Sequence, residues 1–95
     1  MGVEINLTNA VERNRLHPDT FYVPPEDERR NLKVGDFAKL GFDDRERMWV
    51  LVTGKEGDLY FGLLSNTPMS VDMKYGDKVE FEQHHIMDIL SKGEQ

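Results

Sequence analysis

Two stretches of this chain spell out the same instruction. They are Leu32-Lys33-Val34-Gly35-Asp36-Phe37-Ala38-Lys39-Leu40 and Met73-Lys74-Tyr75-Gly76-Asp77-Lys78-Val79-Glu80-Phe81. Each sets a lysine, a β-branched or aromatic residue and a Gly-Asp pair ahead of an alternating apolar run. Glycine accepts positive φ without steric cost and aspartate favours turns, while the alternation that follows is the period of a half-buried strand. Two turn-into-strand units in 95 residues predict a small, strongly curved β domain. The turn is a common way to launch a barrel strand, so convergence explains the pair without an internal duplication.

The remaining strands follow from patterning. Residues 37–42 place Ala38, Leu40 and Phe42 on one face and Phe37, Lys39 and Gly41 on the other. The turn Asp43-Asp44-Arg45-Glu46 leads into 47–53, whose five consecutive apolar residues imply a strand at the centre of the sheet, covered on both faces. Gly54 to Asp58 reads as a hairpin loop, and 59–64 returns as the partner strand, with Gly62 expected at a bulge or sharp bend. Lys78 to Glu82 is the last clean strand. His84 to Leu90 then forms a short helical turn or strand, with Ile86, Ile89 and Leu90 as a plug.

Ahead of the sheet, Asn9 and Glu12 have capping-box spacing for a short helix. Pro18, Pro24 and Pro25 exclude helix between them, and Phe21 and Val23 share one side of an expected short edge strand. Pro25 opens a second helix, with Glu26, Asp27 and Glu28 in its first turn and Arg29 and Arg30 in its last, the order the helix dipole favours. The predicted class is α+β: a single domain over 1–95 with four or five antiparallel strands in an SH3-like small barrel or half-barrel. Residues 1–32, bearing one or two short helices, wrap a β core at 33–90, and 91–95 form a frayed tail. The expected core is Ala38, Leu40, Met48, Val50, Val52, Leu59, Phe61, Leu63, Val79 and Phe81.

Composition narrows the function classes. The absence of cysteine removes disulfides, thiolate nucleophiles and cysteine-based metal or redox sites, and fits a reducing cytosol. Met1 to Ile5 has neither the basic start nor the apolar core of a leader, Asn6 stands where an acylation signal needs Ser or Thr, and no run approaches a membrane span. The net charge of −6 opposes binding to a phosphate backbone. The only adjacent basic pair, Arg29-Arg30, follows directly on Glu26-Asp27-Glu28. Nucleic acid and membrane are therefore not expected partners; a basic protein is compatible with the charge, as is plain solubility.

The ordered string Gly35-Asp36-Phe37-Ala38-Lys39-Leu40-Gly41-Phe42, Glu46-Arg47-Met48-Trp49-Val50, Gly62-Leu63-Leu64-Ser65-Asn66-Thr67-Pro68, Tyr75-Gly76-Asp77-Lys78-Val79-Glu80-Phe81 and Ile86-Met87-Asp88 resembles a family of small bacterial domains of unknown function. Its members read G-D-x-V-K-L-x-F, E-x-M-W-V, G-x-L-x-N-x-P, G-D-x-V-x-F and I-x-D. His17-Pro18-Asp19-Thr20-Phe21 is also similar to some members, so the likeness covers residues 17–90. Ala38 departs from the pattern, where valine is usual. The resemblance implies a β-rich barrel or roll in a bacterial cytoplasm and carries no activity, cofactor or site with it.

Among candidate sites, adjacent His84 and His85 project to opposite faces of a strand and rarely share a metal. A metal or enzymatic site would need His17 and Asp88 as well. The clusters Asp43-Asp44-Glu46 and Glu26-Asp27-Glu28 are explained by turn and cap roles, and no elbow surrounds Ser65, Ser70 or Ser91. No cofactor is implied. Trp49 either lies in the core beneath residues 17–25 or sits on an open aromatic face. In the second case Tyr60 is its cross-strand neighbour, Leu51 extends the patch, and Asp43, Asp44 and Glu46 rim it. The reading of the residues is a non-catalytic interaction module that would take a basic protein on that patch. Its rivals are the histidine site and a nucleic-acid-binding barrel.

Overall fold

The computed structural model describes residues 5–92. The leader and acylation readings at residues 1–4, and the end of the tail at 93–95, lie outside the described residues. The two Gly-Asp units form the same clamp. Gly35 and Gly76 take φ of 101° and 90°, so each turn needs a residue without a Cβ penalty. In each, the aspartate binds the lysine three residues back at both ends. Asp36 N donates to Lys33 O and Asp36 Oδ2 accepts from Lys33 N at 2.8 Å, while Asp77 repeats both bonds on Lys74. Each turn then docks on the next strand inward: Gly35 N and Asp36 O pair with Val52, and Gly76 N and Asp77 O pair with Leu64.

From these clamps run β1 (Phe37–Phe42) and β4 (Lys78–Glu82); β2 (Glu46–Glu56), β3 (Leu59–Leu64) and β5 (Asp88–Leu90) complete an antiparallel sheet of order β4-β3-β2-β1-β5. The strand with the longest apolar run is central, as expected, but only its Met48, Val50 and Val52 face is buried; Trp49 and Leu51 on the other are half-buried. The sheet is not closed: β4 and β5 are its two edges. A register shift between Val52 and Gly54 bulges β2. The bend expected at Gly62 therefore lies across the ladder from it. Gly62 is regularly paired with Val52, and a Cβ there would stand 2.6 Å from Leu51 O and closer still to Val50 Cγ1.

The helices are short. In α1 (Ala10–Leu16) Asn9 Oδ1 accepts from Glu12 N, and in α2 (Glu26–Arg30) the acidic and basic turns fall as expected. Both pack on a 3-10 turn at Gln83–His85, which links β4 to β5. The strand expected at Phe21 and Val23 does not form. Phe21 N donates to His17 O, and Asn14 Nδ2 donates to Phe21 O, so the segment turns back onto α1 rather than along an edge.

One face of the sheet forms the core. Ala38, Leu40, Met48, Val50, Val52, Val79 and Phe81 are buried as expected, joined by Leu32, Phe42, Tyr60, Leu64 and Ile86. The expected phase of β3 is reversed. Tyr60 and Leu64 point inward, Leu59 and Phe61 are half-buried, and Leu63 is exposed. β3 is apolar in both phases, so its pattern does not choose a face. The choice is made by the absent Cβ of Gly62 and by the Tyr60 hydroxyl, which donates to Arg29 O at 2.8 Å and accepts from Leu32 N at 3.2 Å. Tyr60 also stacks on Phe81, with ring centroids 5.2 Å apart.

Truncation of Phe81 to Ala should cost about 3–5 kcal/mol by leaving a cavity. Tyr60→Phe keeps the stack but strands Arg29 O and Leu32 N, and should cost about 1–3 kcal/mol. Urea unfolding followed by circular dichroism checks both the order and the sizes; a Tyr60→Phe variant as stable as wild type would remove the hydroxyl's role in choosing the face.

Candidate functional site

The face of the sheet turned away from the core carries the side chains that packing does not consume. Its centre is a row that crosses all five strands in register. Leu63 pairs with Lys78 and Leu51, Leu51 with Phe37, and Phe37 with Leu90. Leu51 and Phe37 are half-buried, whereas Leu63 and Leu90 are 36% and 39% exposed. Residues at i and i+2 of a strand share a face, so Trp49 stands beside Leu51 in the next row, paired with Lys39, which in turn pairs with Asp88.

Trp49 is held in place through its backbone. Its N–H donates to Asn66 Oδ1 at 2.5 Å, and its carbonyl accepts from Ser65 N at 2.9 Å. The indole is half-buried, with Lys39 Nζ 5.7 Å from the ring centroid, a cation–π distance. Of residues 17–25, Phe21 lies against the Arg47 guanidinium at 5.3 Å, on the same face as Trp49, and Tyr22 is 78% exposed beside it.

Of the expected patch, Trp49 and Leu51 are together on this face. Tyr60 is not. It is 1% exposed on the core side, where its hydroxyl has partners that the outer face lacks. Asp43, Asp44 and Glu46 do not form a free acidic rim, because each carboxylate is occupied. Asp43 and Asp44 both take positive φ, near 55°, as a mirror-image hairpin turn requires and as aspartate tolerates. Asp43 Oδ1 accepts from Asn6 N, and Asp44 Oδ1 accepts from the buried Thr8 hydroxyl and pairs with Arg13 at 2.7 Å. Glu46 accepts from Met69 N, Ser70 N and the Ser70 hydroxyl; the Ser70 and Met69 amides hold its carboxyl below the usual range. These three residues tie residues 6–8 and 69–70 to the sheet.

The basic residues instead face outward. Lys39, Arg47 and Lys78 share the outer phase with Trp49, and so do Asp88, Glu80 and Glu82, with Lys39 and Arg47 next to the indole and Glu80 and Glu82 on the far strand. Sequence reasoning assigned Phe37 and Lys39 to this face but did not join them to Leu63 and Leu90. That link is a matter of cross-strand register, which one strand's pattern does not contain.

The histidines serve the 3-10 turn. The rings of His84 and His85 lie 4.1 Å apart, and His85 Nδ1 accepts from Glu82 N at 3.0 Å. Among the described residues no group of three or more His, Asp or Glu is arranged to hold a metal ion, and no helix is long and apolar enough to cross a membrane. No protein-family model, curated protein or solved structure matches the chain.

Burial, then the neighbouring His84 charge, lowers the His85 pKa from 6.5 to about 4. Protons therefore prefer the unfolded chain. The contribution of neutral His85 is fully present above pH 6.5 and is lost as pH falls through about 4. His85→Asn keeps an acceptor for Glu82 N without titrating. Relative to wild type, it should flatten the acid loss of stability by about 2 kcal/mol, allowing for solvent screening at a half-exposed ring. Parallel acid-denaturation curves that never diverge over that window would show that His85 does not report its burial. At the β1–β2 turn, Asp44→Ala should cost about 1–2 kcal/mol by stranding the Thr8 hydroxyl. Asp44→Asn, which retains a side-chain acceptor, should cost less; thermal melts of both variants give the order.

Proposed function

We propose that this chain is a non-catalytic protein-interaction module of the bacterial cytoplasm, built as an SH3-like roll that docks a partner on its outer sheet face. The order β4-β3-β2-β1-β5, the bulge in β2 and the 3-10 turn before β5 support the roll. The observation that carries the function is the apolar row Leu63–Leu51–Phe37–Leu90 with half-buried Trp49 beside it. Rigid aromatic anchors in an apolar centre with a charged rim are the anatomy of a binding surface.

Lys39 and Arg47, beside Trp49, set the chemistry of the partner on this face. It is an apolar surface bearing carboxylates, because opposite charges at the rim steer encounter and specify register. The carboxylates that would have drawn a basic partner to Trp49 are engaged in the turns. The histidine-site alternative has less support, since His85 spends its free nitrogen on Glu82 N.

A photo-crosslinking amino acid at Leu63, with a control at Thr53, tests the reading in the native cell. Crosslinks to a discrete protein from position 63 that vanish with Leu51→Glu are the expected result. Crosslinks to nucleic acid, or none above the control, would sink it. Trp49 fluorescence gives a prior check on the isolated protein: emission should shift to the red and be quenched by acrylamide, and should blue-shift when the captured partner is added.

A further inference from the structure

The open seam of the sheet is a second feature, independent of the Trp49 face. Among the described residues, β4 pairs only with β3. Leu64 N donates to Asp77 O. From that bond, antiparallel alternation sets Val79 and Phe81 in hydrogen-bonded pairs with Gly62 and Tyr60, and turns the main-chain groups of Lys78 and Glu80 to the free side. Edges are usually protected by shortness, charged side chains, proline, a bulge or a cover; Lys78 to Glu82 is short and carries three exposed charges but contains neither proline nor a register shift, so its main chain can still pair. The next main-chain donor, Glu82 N, is taken by His85 Nδ1, which ends the free edge there.

Across from this edge, Leu7 forms a bridge to Phe42 at the end of β1. Between the two lies a cleft of about 400 Å³ floored by Ile5, Leu7, Phe42, Met73 and Val79. Ile5, Leu7 and Met73 are only partly buried against the core. Asp72 and Glu80 are exposed on its wall, against Lys78 alone. Through Ile5 and Asp72 the cleft adjoins a hollow lined by Arg45, Ser70 and the engaged carboxylates Asp43 and Asp44. The seam thus presents strand donors and acceptors, an apolar floor and two exposed carboxylates against one lysine.

We propose that the seam receives an extended segment of a partner protein, which adds to β4 as a further antiparallel or parallel strand and alternates apolar with basic residues. Main-chain bonds to Lys78 and Glu80 provide affinity, and alternate side chains provide specificity, as in other strand additions. The apolar residues enter over Met73 and Val79. The basic ones meet Asp72 and Glu80, so the preference for a basic ligand belongs to this seam rather than to the Trp49 face.

The test uses two fluorescein-labelled peptides, Lys-Val-Lys-Ile-Lys-Val and Glu-Val-Glu-Ile-Glu-Val, titrated into the full chain with polarisation and amide exchange as readouts. The basic peptide should bind saturably and protect the Lys78 and Glu80 amides. Asp72→Lys with Glu80→Lys should weaken it by about tenfold or more and favour the acidic peptide. Glu80→Pro removes a donor on the free side while leaving the β3 ladder intact, and should abolish binding. The charge-reversed variant decides the matter if the proline variant does not fold. Equal binding of the two peptides, protection mapping to Trp49 and Leu51, or Lys78 and Glu80 amides already protected in the isolated protein would each overturn the proposal. Leu51→Glu should leave peptide binding unchanged, which separates this seam from the outer face.

Discussion

The sheet depends on two carboxylates, Asp36 and Asp77, each closing a turn on a lysine amide and then handing its own carbonyl to the neighbouring strand. A sheet dominated by non-local pairings has little to register its strands before the core forms. Here each edge-side strand begins with a preformed turn whose next hydrogen bond is already to β2 or β3. The clamp therefore converts a local turn preference into a long-range register. That register in turn lines up Leu63, Leu51, Phe37 and Leu90 across the outer face.

Tyr60 acts on the other axis, between layers. Its hydroxyl bridges Arg29 O and Leu32 N, so the end of α2 is bound to the middle of the sheet. Arg29 strengthens the same joint: its guanidinium is buried and donates to Pro24 O and to the Gln83 side chain, and desolvation lowers its pKa. A buried cation with carbonyl acceptors is tolerable only where those acceptors are fixed. Residues 24–32 and the 3-10 turn are thereby coupled through polar contacts. Because Tyr60 must point inward to make them, Leu63 must point outward, and the apolar outer face follows from a hydrogen bond on the opposite side.

Net charge is a poor guide to where the charges act. The chain is acidic by six units, yet Asp43, Asp44 and Glu46 are spent on backbone amides, a hydroxyl and Arg13, and the face around Trp49 displays Lys39 and Arg47. Exposed carboxylates also lie along the open seam, at Asp72 and at Glu80 on the far strand of the outer face. Two surfaces of opposite local character on one small sheet follow from which carboxylates the turns consume.

The α+β class, the two Gly-Asp turns, the central position of residues 47–53, the capped N-terminal helix and the inward phase of β1, β2 and β4 were all legible in the chain, because each rests on a local periodicity or a residue with one strong backbone preference. The phase of β3 was not legible: Leu59 to Leu64 is apolar on both sides, and the faces are told apart by the close approach of β2 at Gly62 and by Arg29 and Leu32, partners brought near only by folding. The bulge at Thr53, the turning back of Phe21 and the engagement of the acidic cluster were hidden for the same reason, since each depends on a partner brought near by folding. Local patterning placed the cores of β1 to β4 and the Gly-Asp turns, though not the turn-back at Phe21 or the extension of β2 through Glu56. Only the tertiary structure decided which face each ambiguous side chain took, because that choice is made by the hydrogen-bond partners and the space on either side of the sheet, and those exist only once the strands are in register.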